Sequence, residues 1–80
     1  MTPYMRILRA VQRHRYRGCT PEVRERPGRM REVRFFHLGC LEGLHEAVRH
    51  ASLHADQRAV LCGEIEDASN EIHDRLRKEP

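Results

Sequence analysis

Leu41, Leu44, Val48 and Ala51 recur at intervals of three and four, and the same spacing returns in Leu61, Ile65, Ala68, Ile72 and Leu76. An α-helix gathers residues at those separations on one face, whereas a strand needs strict alternation, so the second half of the chain reads as helix. The spacing predicts one helix over about 38–53 and another over about 56–78, with Asp56 capping the second. Folding back through Leu53-His54-Ala55-Asp56 makes an antiparallel helical hairpin with the small Ala51 and Ala55 near the bend. The rival is one helix over about 40–78, since neither Gly nor Pro marks the bend. Its seam would include Arg58, Cys62 and Ser69, and its length far exceeds the usual figure of about 11 or 12 residues, which favours the hairpin.

The first half is punctuated differently. Thr2 followed by Pro3 is a helix start, and Tyr4, Ile7, Leu8 and Val11 continue at helical spacing, giving a helix over about 3–16 with Gly18 as a left-handed stop. Arg6, Arg9, Arg13 and Arg17 fall off that apolar stripe and form a basic face. From Cys19 to Arg29 the chain carries Thr20, Pro21, Pro27 and Gly28 and little that is apolar, which predicts an irregular basic arm. An α+β alternative makes Pro27-Gly28 a turn between short strands at 22–26 and 30–37, a hairpin preceding the two helices. The expected fold is thus mainly α, a single small domain over 1–80, with a basic helix and arm at 1–36 and the helical hairpin at 37–80.

Charge divides along the same line. Residues 1–36 hold ten arginines against Glu22, Glu25 and Glu32, while residues 37–80 hold nine acids against Arg49, Arg58, Arg75, Arg77 and Lys78, so a net charge of +3 conceals a dipole. Lys78 is the single lysine among 15 basic residues, an excess of arginine that a GC-rich coding sequence accounts for. Codon usage does not explain why acids are scarce in the first half. A field of this shape steers charged partners.

A chain of 80 residues buries only about two thirds of the surface its unfolded form exposes. With four aromatics (Tyr4, Tyr16, Phe35, Phe36) and no Trp, a core built on Leu41, Leu44, Val48, Leu61, Ile65, Ile72 and Leu76 is small, and the seam is expected to serve either as core or as the contact of a homodimer. Cys19, Cys40 and Cys62 are too widely spaced for a disulfide framework and read as free thiols, which suits the cytoplasm. No apolar run is long enough to span a membrane. The acid-free first 21 residues share features with a mitochondrial presequence, although they are rich in His where presequences are rich in Ser.

His37-x-x-Cys40 and His50-x-x-x-His54 are the local pairs with metal-ligand spacing, and each offers two ligands where a structural zinc needs four. Cys62 with His50 is the one conceivable nucleophile pair, without an oxyanion hole or phosphate loop to serve it. No metal, cofactor or catalytic activity is therefore expected. What remains is binding. The expectation is a small non-enzymatic interaction protein, a regulator or inhibitor of bacterial or phage type, whose Arg6, Arg9, Arg13, Arg29, Arg31 and Arg34 meet an acidic surface of a larger macromolecule. The alternative uses the same arginines on nucleic-acid phosphates, with the aromatics as stacking surfaces.

Overall fold

The structure, a computed structural model, describes residues 1–20 and 27–78. Three helices, α1 (Pro3–Cys19), α2 (Pro27–His50) and α3 (Ala55–Lys78), each pack against the other two, and no strand forms among the described residues. The chain is mainly α. Its long axis of 41 Å is close to the span of a 24-residue helix, about 36 Å at 1.5 Å per residue.

α1 starts as its sequence dictates: the Met5 amide donates to Thr2 Oγ1 at 3.2 Å, and Pro3 occupies the first turn, where its missing N–H costs nothing. It ends at Thr20, whose extended backbone donates its N–H to the Tyr16 carbonyl at 2.9 Å. Gly18 is not the expected left-handed stop, because no described glycine has a positive φ. Its role is close packing. A Cβ at Gly18 would lie 2.5 Å from Ile72 Cδ1 and 3.4 Å from His37 Cβ, so the missing side chain lets α1 approach both other helices.

From Pro27 onward α2 takes the place of the expected basic arm and of the second strand of the alternative, while residues 21–26 of the arm lie outside the described residues. Helix begins at Pro27, eleven residues ahead of the predicted start at 38; the strand at 22–26 lies outside the described residues. The physical reason is that the seam of Leu41, Leu44 and Val48 continues backwards in steps of three and four through His37, Arg34 and Met30, all of them buried. Two polar residues at core positions hid this extension.

Residues 51–54 separate α2 from α3 and turn the chain back, so the single helix over 40–78 does not form. Arg58 holds this link: its guanidinium donates to the carbonyls of Val48, of Ala51 at 3.1 Å and of Leu53 at 3.5 Å, satisfying acceptors at the end of α2. Asp56 is not the cap of α3. It lies inside the first turn, and Gln57 Oε1 accepts the His54 amide at 3.2 Å instead.

The core gathers Val11 from α1, Leu41 and Val48 from α2, and Leu61, Ile65, Ala68, Ile72 and Leu76 from α3, with Leu44, Leu38 and Ile7 packed at its margin. The predicted seam therefore closes the core of one chain. Leu41, Val48, Leu61 and Ile72 retain no accessible surface, and Leu44 is half-buried.

Candidate macromolecular interface

Burying Ile7, Leu8 and Val11 turns the opposite side of α1 to solvent. Arg6, Arg9, Arg13, Tyr16 and Arg17 are all exposed, and at 100° per residue they fall within an arc of about 100°. The stripe runs about 16 Å along the helix from Arg6 to Arg17. No acidic residue occurs in α1 to offset it.

Arg15 points the other way. Its Nε donates to Glu71 Oε2 at 2.6 Å and its Nη1 lies 3.9 Å from Glu64, both on α3. The hydrogen bond to Glu71, reinforced by the charges of Glu71, Glu64 and Asp67, raises the Arg15 pKa. Glu64 and Glu71 thus face α1. Part of the charge segregation is thus satisfied inside the molecule, and the outward stripe of α1 stays exposed.

The six arginines assigned to the interface do not form one patch. Arg6, Arg9 and Arg13 lie together on α1. Arg29 and Arg31 are exposed on α2, but two helical residues are about 200° apart around the axis, so they face different directions. Arg31 lies over the Phe35 ring, 5.4 Å from its centroid. Arg34 is 6% exposed and donates from Nε to the Gly18 carbonyl at 3.1 Å, which satisfies an acceptor at the end of α1. Burial, then the nearby Arg75 charge, lowers its pKa. It is a core residue and no partner contact.

The junction of α1 and α2 also holds two histidines. His14 Nδ1 and His37 Nδ1 are 2.9 Å apart, so in the neutral pair one ring donates its Nδ1–H to the other. Burial pushes both below the ordinary imidazole range, helped by Arg13 and Arg17 at His14 and by His14 and Arg17 at His37. His37 Nδ1 is thereby engaged with His14, and His50 contacts Glu46 at 3.1 Å. Among the described residues no three His, Cys, Asp or Glu side chains converge. Cys19 is buried and burial pushes its thiol up, which suppresses the thiolate a nucleophile needs.

On the side away from α1, a groove of about 660 Å³ opens between α2 and α3, with Leu38, Cys62 and Ile65 along it and Glu42, His45, Glu66 and His73 also in its wall. Phe35 stands 50% exposed at its wall, whereas Phe36, 64% exposed, lies about 100° further round α2, its ring edge-on to His37. The sequence held a signal for this face in the spacing Arg31, Phe35, Leu38, Glu42, His45, a second helical stripe beside the core stripe. No described helix is long and apolar enough to cross a membrane. No protein-family model, curated protein or solved structure matches this chain.

Proposed function

We propose that the protein acts by binding, as a small regulator or inhibitor that covers an acidic surface of a larger protein with the outward face of α1. The observation that carries this reading is the acid-free stripe of Arg6, Arg9, Arg13 and Arg17 around the exposed Tyr16. Arginine and tyrosine are the residue types that anchor interfaces, because each combines a large contact area with polar donors. In this scheme the α2–α3 hairpin is a scaffold: it holds α1 by its apolar face and by Arg15, so the stripe is presented on a rigid helix. The buried Cys19 thiol, its pKa raised by burial, and the mutually engaged His14 and His37 support a binding role. Three free thiols suit a cytoplasmic setting.

The test compares the wild-type chain with Arg6→Glu/Arg9→Glu/Arg13→Glu and with a control that reverses Arg49, Arg75 and Arg77, all three also exposed. Affinity capture from the native host, followed by titration of the captured protein, should show loss of about tenfold or more for the α1 triple variant and little change for the control. Equal loss in both would reduce the effect to net charge and reject the stripe. Duplex and single-stranded DNA are titrated alongside at about 150 mM salt; binding tighter than about 10 µM that the α1 triple variant abolishes would replace the acidic protein surface with nucleic acid as the target.

A further inference from the structure

α2 carries two stripes, and the bundle covers one. Met30, Arg34, His37, Leu41 and Val48 face the core, while Arg31, Phe35, Leu38, Glu42 and His45 follow at steps of four, three, four and three on a neighbouring face beside the groove. Leu38 is half-buried there, and Phe35 is half exposed to solvent. An exposed aromatic at a groove with an apolar floor of Leu38, Cys62 and Ile65 and a polar rim of Glu42, His45, Glu66 and His73 marks an interaction surface.

The order of residues on this stripe identifies the occupant. It begins with the base Arg31, continues through Phe35 and Leu38 to the acid Glu42, and closes with His45. Two such stripes laid antiparallel about a two-fold axis passing between Phe36 and His37 set Arg31 opposite the second copy's Glu42 and Phe35 opposite its Leu38. Each contact then occurs twice, as an isologous interface requires. A parallel arrangement would oppose like charges at both ends. Gly39, in the groove wall, has nothing within 4 Å of where its Cβ would lie, which leaves room for an incoming ring.

We infer that the protein forms a two-fold dimer through this stripe, with Phe35 of each copy seated in the α2–α3 groove of the other. The apolar seam of Leu41 and Ile72 takes no part, being internal to each chain. Because the groove opens away from α1, the dimer displays two Arg-rich stripes outward, and its formation does not depend on what those stripes bind.

Sedimentation velocity over a concentration series up to about 200 µM, with Kd fitted for wild type, Arg31→Glu, Glu42→Arg and the double swap, tests the arrangement. The wild type is expected to dimerise in the micromolar range, each single reversal to weaken the dimer by about tenfold, and the double swap to restore it to within about threefold, since reversing both partners recreates both pairs. Phe35→Ala, at an exposed position, should weaken the dimer by about tenfold without loss of helicity. A wild type that stays monomeric at about 200 µM overturns the proposal. So does a dimer indifferent to both single reversals or to Phe35→Ala, and so does a helical double swap that fails to recover affinity.

Discussion

At Gly18 three helices meet over one missing methyl group. Alanine there gains helix propensity of about 1 kcal/mol over glycine, but its Cβ would press on Ile72 Cδ1, and overpacking of a filled core costs about 1–3 kcal/mol. Gly18→Ala is expected to be destabilising by about 1 kcal/mol, and Gly18→Ala/Ile72→Val, which deletes the offending Cδ1, to be more stable than the sum of its single changes. Urea denaturation of the four proteins measures this; strict additivity would mean that Gly18 and Ile72 do not constrain each other. Arg34 and His37 belong to the same junction. Their side chains are polar, yet each reaches a partner, the Gly18 carbonyl and His14, that removes the usual cost of burial. Neither role was legible in the sequence, because the partners lie 16 and 23 residues away.

Among the elements, α1 and α3 were legible nearly to their ends. Thr2-Pro3 specified the start of α1, and the stripe from Leu61 to Leu76 specified the inner face of α3, because caps and apolar periodicity are local properties. α2 was legible only from residue 38, since its first turns place Arg34 and His37 where periodicity looks for Leu. The mid-helix glycines Gly43 and Gly63 provide a separate test. A Cβ at either would meet nothing within 4 Å, so neither close packing nor a special φ accounts for them within one chain. Gly63→Ala and Gly43→Ala are each expected to raise stability by about 0.5–1 kcal/mol, read as a higher urea midpoint at unchanged slope. A loss of stability in the monomer would show that the helix backbone at these positions is not ordinary.

Over the whole molecule, the charge asymmetry proves to have two parts. Arg15 with Glu71 and Glu64 joins α1 to α3, a part-exposed bridge of the kind worth at most about 1 kcal/mol, while Arg6, Arg9, Arg13 and Arg17 remain outside. Global stability should also report the His14–His37 pair. Both folded-state pKa values are lowered, whereas in the unfolded chain imidazole titrates near about 6.5, so below that pH the unfolded state binds protons that the folded state refuses. The stabilisation is fully present above about pH 6.5 and is lost as pH falls from there towards the lowered folded values. Urea unfolding at about pH 7.5, 6.5 and 5.5 should show stability falling across the lower interval, and His14→Gln/His37→Gln should flatten that fall; a wild type equally stable at all three would contradict the placement of the pair.

The sequence by itself determined the helical class, the capped start of α1, the two apolar stripes that became the core, and the separation of charge along the chain. Each follows from neighbours within a few turns. The tertiary structure alone decided that Arg34 and His37 are internal, that Gly18 is a contact point instead of a stop, and that the arginines expected to act together divide among a core position, two sides of α2 and one outward stripe. Those outcomes depend on which carbonyl, ring or carboxylate another helix brings within 3 Å, and periodicity along one helix contains no information about the rotation of the next.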